Sequence, residues 1–286
     1  MSSNVDRREI VVGIDPVKDW HLALAWAVDE AHRRRSALRL VVVVPPRHDT
    51  QHVDDTPRQM QLERVGADAL EAAVAWAHAR WPDVGTTASL LGGRPGPTLA
   101  HLSKDARMVV LGSRHLNRAE EFLSAGSLGV PVAAQAHCPV VVVGDVEHST
   151  QEPPYLVVGV DGSESSKAAL ALAFEEAAIR GCALRALAVW QPPVFSLHRG
   201  DESLQAERRL LSETVAGWAE KYPDVRLHRE VLTGSPVEVL AEAAEHALAV
   251  VVGRRGQGGY SGMRVGSVVR GLLHRAHCPV ITVPAA

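Results

Sequence analysis

The densest candidate chemistry in this chain is one glycine-rich run, Gly253-Arg-Arg-Gly256-Gln-Gly-Gly-Tyr-Ser-Gly-Met-Arg-Val-Gly266-Ser267. Its spacing is Gly-x2-Gly-x9-Gly-Ser. Glycines permit positive φ and close backbone approach, so successive N–H groups can be turned onto an anion. Ser267 is a favourable helix N-cap, and the helix it would open supplies partial positive charge and unpaired N–H donors. Arg254, Arg255 and Arg264 add cations, and no acid stands between Gly253 and Ser267. Together these features suit a polyphosphate. Taken alone, the run also resembles a solvated loop ahead of an ordinary capped helix. The companion run Val160-Asp161-Gly162-Ser163 strengthens the anion reading, because an aliphatic strand ending in Asp-Gly-Ser puts a carboxylate at the crevice where open parallel sheets bind ligands. On the plainer reading Asp161 is a helix cap or turn residue.

Other candidates reduce to structural roles. His48 and His52 are the one His-x3-His pair among the 14 histidines, no Cys-x2-Cys stands with it to complete a zinc set, and no structural metal is expected. His137 and His277 each precede Cys-Pro at a strand entry. The glycine run lacks the Gly-Lys-Ser/Thr of a P-loop and contains no Asp, Glu or His to act as a base. Neither a Ser-Gly-Gly-x-Asp-Ser loop nor a His-x-Gly-His motif is present, which argues against an adenylyl-transfer enzyme. The six tryptophans fit core and interface packing. The short run Arg33-Arg34-Arg35 fits the end of a helix, where cations are favoured.

The elements that must position the glycine run come from a duplication. Ile10-Val-Val-Gly-Ile-Asp15 lies on Leu156-Val-Val-Gly-Val-Asp161, and Trp81-Pro-Asp-Val84 on Tyr222-Pro-Asp-Val225. Further along, Val109-Val-Leu-Gly112 lies on Val250-Val-Val-Gly253, and Ala136-His-Cys-Pro-Val140 on Ala276-His-Cys-Pro-Val280. A period this long is a duplicated domain, not a solenoid. Each half alternates short aliphatic runs with longer amphipathic stretches, the pattern of an α/β fold with a helix-covered parallel sheet. In the second half strands are expected at 156–160, 184–190, 225–232, 248–252 and 280–283, with helices near 164–180, 202–221, 236–247 and 267–276. The first half gives strands near 10–14, 38–44, 86–91, 108–111 and 140–143. Domains are placed at 1–147 and 155–286, joined by a polar linker, Asp145 to Pro154, that ends in Pro-Pro.

The 286 residues fit two domains of ordinary size, and 46% hydrophobic with 22% charged residues lets each bury a core. A net charge of -3 gives no bulk attraction to nucleic acid or to an anionic membrane, so anion binding must be local. Cys138, Cys182 and Cys278 read as buried free thiols of a reducing compartment. The polar stretch Met1 to Glu9 lacks a signal-peptide layout, and a cytoplasmic location is expected. Runs such as Leu40 to Val44 are far shorter than the roughly 18 residues of a membrane span.

On these residues the sequence resembles the universal stress protein family, specifically its ATP-binding branch. Gly253, Gly256, Gly266 and Ser267 match the branch's loop pattern, and the resemblance extends to Val160-Asp-Gly-Ser163, Gly234-Ser-Pro236 and His277-Cys-Pro-Val280. It spans both halves. The resemblance implies two Rossmann-like, five-stranded sheets of order 3-2-1-4-5, with adenine against the backbone of Val189 and Asp161 near the nucleoside. It implies phosphates held by Gly253, Gly256, Gly266, Ser267 and Val268, with Gly162, Ser163 and Arg254 alongside, and Mg2+ able to accompany ATP. The resemblance also implies a stress or signalling role through a nucleotide-dependent conformation or partner, with at most slow ATP turnover. A structural or chaperone-like tandem protein that binds no nucleotide is the alternative. In the family the last strand of the sheet makes dimers, which suggests an internal pseudo-dimer of the two halves and a possible homodimer.

The first half departs from the pattern. Asp15 is followed by Pro16-Val17 instead of Gly-Ser, His115 stands where the second glycine belongs, and Gly126-Ser127 comes one residue late. Glu120 and Glu121 in that loop would oppose a triphosphate. Asp15 is then a turn or capping residue, and only the second domain is expected to bind nucleotide.

Overall fold

The computed structural model describes residues 8–47, 55–113, 128–144, 148–191, 200–257 and 264–285. The chain divides into two compact units, Met1–Asp145 and Val146–Ala286.

In the first unit the strands are β1 (Ile10–Gly13), β2 (Leu38–Val44), β3 (Thr86–Gly92), β4 (Met108–Gly112) and β5 (Val140–Val143). Their order is β3-β2-β1-β4-β5, with every neighbouring pair parallel. Unbroken aliphatic sequences such as Val140–Val143 are buried along their whole length because helices cover both faces of a parallel sheet. β3, at the edge, has only exposed and half-buried residues and carries Thr and Ser, which suits a strand with one free side. Helix α1 (His21–Arg34) packs over β1, β4 and β5, and α2 (Thr56–Arg80) over β2 and β3. Two short helices, α3 (Pro95–Leu102) and α4 (Gly129–Gln135), pack on each other. α1 buries Ala23, Leu24, Ala27, Val28 and Ala31, one stripe at helical spacing. It ends in His32, Arg33 and Arg34, cations placed where the helix dipole favours them.

The second unit repeats the plan with β6 (Tyr155–Gly159), β7 (Ala183–Trp190), β8 (Leu227–Thr233), β9 (Val250–Gly253) and β10 (Val280–Val283). Here the order is β8-β7-β6-β9-β10, again parallel throughout. Its helices are α5 (Glu164–Arg180), α6 (Gly200–Val215), α7 (Trp218–Lys221), α8 (Pro236–Ala243) and α9 (Ser267–Arg275). The single helix expected over 202–221 is therefore two. Gly217, in the left-handed region at φ 80°, turns the chain between them. α8 stops at Ala243, short of the expected 247.

Part of the expected linker belongs to the second unit. His148 Nε2 lies 2.9 Å from Ala247 O, and Gln151 N–H donates to His246 O at 3.0 Å. One pair repeats across the duplication: Glu30 binds Arg34 on α1, and Glu176 binds Arg180 on α5. Both glutamates are fully buried. In each unit the chain leaves the central strand in opposite directions toward its two neighbours, which opens a crevice at the strands' carboxyl ends.

Candidate functional site

In the second unit β6 stops at Gly159, opposite Leu187, while β7 continues to Trp190. Val160 N–H still donates to Leu187 O at 2.8 Å, and Trp190 O accepts from Gly234 N–H on the other side at 3.1 Å. Because peptide groups alternate sides along a strand, the N–H and C=O of Val189 face the side that β6 has left. They form a donor–acceptor edge without a strand neighbour.

Asp161, Gly162 and Ser163 make the turn from β6 into α5. Ser163 is the N-cap, accepting from Ser166 N–H at 3.2 Å. Gly162 has φ +80°, a backbone conformation that favours glycine, and a Cβ there would stand 2.8 Å from the movable end of the Gln257 side chain. Asp161 ties this turn to the glycine run: Oδ1 accepts from Ser163 N–H (3.0 Å) and Ser163 Oγ–H (2.6 Å), and Oδ2 accepts from Gln257 N–H at 3.0 Å. Ser163 Oγ also lies 3.1 Å from Arg255 O, to which Ser165 Oγ–H donates, and Arg255 N–H returns to Ser165 Oγ at 3.2 Å. Ser165, Gln257 and Glu164 were not singled out in the sequence. A second hydroxyl two residues beyond the cap was the only available signal for Ser165.

The glycines of the run do different work. A Cβ on Gly253 would sit 2.6 Å from Ser165 C, so the end of β9 rests on the first turn of α5. A Cβ on Gly256 would sit 2.5 Å from Asp161 Oδ2. Gly266 is otherwise: its backbone (φ −66°, ψ 155°) suits any residue, and a Cβ would meet nothing nearer than 3.4 Å. It is also the N-cap of α9. Ser267, expected in that role, is instead the first helical residue, since Arg270 N–H donates to Gly266 O at 3.2 Å. Glycine has no side chain to cap with, so the N–H groups of Ser267, Val268 and Val269 have no acceptor within the helix. Of the other described amides in the run, those of Arg254, Arg255 and Gln257 go to Val283 O, Ser165 Oγ and Asp161 Oδ2. Residues 258–263 lie outside the described residues.

A cleft of about 230 Å³ lies here, lined by Ser163, Glu164, Ser165, Arg254, Arg255 and Gly256. Burial, and then the neighbouring Arg255 charge, push the Arg254 guanidinium below its ordinary pKa, a cost that a bound anion would relieve. The one carboxylate on the cleft wall, Glu164, is matched by Lys167 at 2.7 Å. The arrangement combines anion-seeking donors, two arginines and a polar backbone edge, and among the described residues no unpaired general base lines the cleft.

The corresponding end of the first unit has no such turn. Asp15 Oδ1 accepts from Val17 N–H at 3.2 Å, Oδ2 pairs with Lys18 at 2.9 Å, and Asp15 serves as a turn residue. His115, Glu120, Glu121 and Gly126-Ser127 lie outside the described residues. Cys138, Cys182 and Cys278 are free and buried. Among the described residues no group of three His, Cys, Asp or Glu is placed to hold a metal, and no helix is long and apolar enough to cross a membrane.

Comparison with known proteins gives a consistent family. The sequence profile described as the universal stress protein family matches twice, at residues 6–144 and 155–284. Universal stress protein Rv1996 of Mycobacterium tuberculosis is 34% identical over 98% of this chain and 96% of its own length. Universal stress protein Rv2623 of the same organism is 35% identical over 98% of both chains. Among solved structures, a universal stress protein from Archaeoglobus fulgidus superposes with a TM-score of 0.72, covering 98% of this chain and 97% of that one. At 16% identity that likeness speaks for the fold alone.

Proposed function

We propose, starting from the fact that the chain belongs to the universal stress protein family, that its second domain binds ATP and acts in stress response or signalling through a nucleotide-dependent conformation or partner interaction. The observation that carries this reading is the uncapped start of α9 beside the Arg254–Gly256 backbone, where Gly266 N–H donates to Arg254 O at 2.9 Å. Gly266 leaves three helix amides open to a polyphosphate, the ligand that donors at a helix N-terminus and paired guanidiniums favour. At the far end of the crevice the Val189 backbone edge offers a donor and an acceptor of the kind an adenine edge needs. Asp161 and Ser163 join the two loops between these ends, beside the position of the ribose. The carboxylates near the cleft are already engaged, so Mg2+ would travel on the phosphates instead of on a protein carboxylate.

Among the described residues no base is positioned to activate water, and on this reading turnover is at most slow. The output is then a shift between states that bind ATP unequally. A second reading rests on the same Asp161–Gln257 and Ser165–Arg255 bonds, which already satisfy both loops: a structural tandem domain that binds no nucleotide. Mass spectrometry of small molecules released from the purified chain separates the two. The ATP reading predicts an adenine nucleotide among them; none released, and none taken up on titration, refutes it.

A further inference from the structure

The edge strand of the first unit is bare where its duplicate in the second unit is guarded. β3 pairs with β2 from Thr86 to Gly92 and has no strand on its other side among the described residues. Leu38 N–H donates to Gly85 O at 2.8 Å just before the strand, and Gly93 N–H donates to Val44 O at 2.9 Å just after it. Odd-numbered residues of β3 therefore turn their peptide groups to β2, and the N–H and C=O of Thr86, Ala88, Leu90 and Gly92 point away from the sheet. The strand reads Thr-Thr-Ala-Ser-Leu-Leu-Gly, with neither a charge nor a proline, and Leu90 is 39% exposed. Aligned at their first residues, Thr86 and Leu227, β8 has His228, Arg229 and Glu230 where β3 has Thr87, Ala88 and Ser89. Charged side chains on an edge strand stop other strands from adding to it. β8 carries them and β3 does not.

A free edge can be closed by a second copy of itself when the two strands run antiparallel about a two-fold axis. With that axis at Ser89, Thr86 faces the copy's Gly92 and Ala88 faces the copy's Leu90, so every outward N–H meets an outward C=O. The exposed Leu90 side chain then lies beside the copy's Ala88, the kind of cross-strand contact that stabilises sheets. Charge agrees with this register. Arg94, just past the end of β3, is exposed and makes no ion pair among the described residues. The antiparallel arrangement brings it to the end of the copy's strand where Asp83 stands, a carboxylate with 63% of its side chain exposed.

We infer that the β3 edge is a self-association surface, and that its occupant is the β3 edge of a second copy of this chain, joined as an antiparallel, isologous strand pair. The surface is separate from the cleft of the second unit and stands whether or not that unit binds ATP. One strand of this length gives an interface at the low end of size, below about 1,200 Å², so the association is reversible and depends on concentration. Cross-linking tests the register. Ser89 and the copy's Ser89 form a non-hydrogen-bonded pair with Cα atoms about 4.5 Å apart, within disulfide reach. Ser89→Cys in the full chain should give a disulfide-linked dimer under oxidised glutathione. Thr87→Cys, whose two copies stand about 14 Å apart, should give at least about tenfold less. The native cysteines are buried and do not compete. Sedimentation velocity of the unmodified chain over about a hundredfold range of concentration should show a reversible dimer, and Ala88→Arg, which puts the guard of β8 on β3, should weaken it at least about tenfold. Equal linkage of the two cysteine variants, no linkage at position 89, or self-association unchanged by Ala88→Arg would overturn the inference. Ser89→Cys exchanges one small side chain for another, so the cross-link decides the matter even if Ala88→Arg does not fold.

Discussion

Replacing Gly266 by Asp separates folding from binding more cleanly than any other change at the site. The position already has N-cap backbone geometry, with room around its Cα, so an aspartate fits without strain. Its carboxylate would accept from Val268 or Val269 N–H and cap α9, which changes stability by a few tenths of a kcal/mol in the favourable direction. The same carboxylate removes a donor from the proposed phosphate cradle. One hydrogen bond to a charged group is worth about 1.5–3 kcal/mol. Repulsion between like charges about 4 Å apart is about 4 kcal/mol at an effective dielectric of 20, of which roughly 1 kcal/mol remains after salt and solvent screening at this half-exposed position. Together they come to about 3 kcal/mol, or roughly 150-fold in Kd. Titration calorimetry with ATP should show that loss while differential scanning fluorimetry shows an unchanged or slightly higher Tm. Native-strength ATP binding in a variant of native Tm would refute the assignment of phosphate to the start of α9.

Three further predictions follow from particular contacts. Gly256→Ala drives a methyl carbon to 2.5 Å from Asp161 Oδ2 and forces the carboxylate off Gln257 N–H; ATP affinity should fall about tenfold or more, and an unchanged isotherm would remove this latch from the site. Glu30→Ala leaves the buried Arg34 guanidinium without its carboxylate and should cost about 3–5 kcal/mol in urea unfolding; a loss under about 1 kcal/mol would contradict the role given to the pair. Burial raises the Cys138 and Cys278 thiols from 9.0 to about 12, favouring the neutral form in the folded chain. That stabilisation is complete below pH 9 and is lost as pH climbs toward 12, so urea midpoints should fall across that window and native thiols should resist labelling near pH 8. Rapid labelling of both in the native chain would show that they are not buried.

The tandem α/β arrangement was legible because duplicated motifs and Val-rich runs buried on two faces are strong signals over many residues. The glycine run and Asp161-Gly162-Ser163 were legible because tight turns restrict residue type. The helix cap was displaced by one residue, since Gly266 and Ser267 are both acceptable caps and only the backbone torsion at 266 decides between them. The break at Gly217 was hidden because a lone glycine inside an amphipathic stretch does not by itself end a helix. The Asp161–Gln257 latch was not legible: it joins positions 96 residues apart through a side chain and a backbone amide. Glu30 and Arg34 have i,i+4 spacing, but a sequence does not distinguish a buried pair from the surface pairs common on helices.

On the proposed reading a triphosphate is held by the second unit alone. Calorimetric titration of the unmodified chain with ATP tests it most directly, through the number of nucleotides bound. One ATP per chain is the predicted result. None would contradict the cradle at the start of α9, and two would contradict the exclusion of phosphate from the first unit.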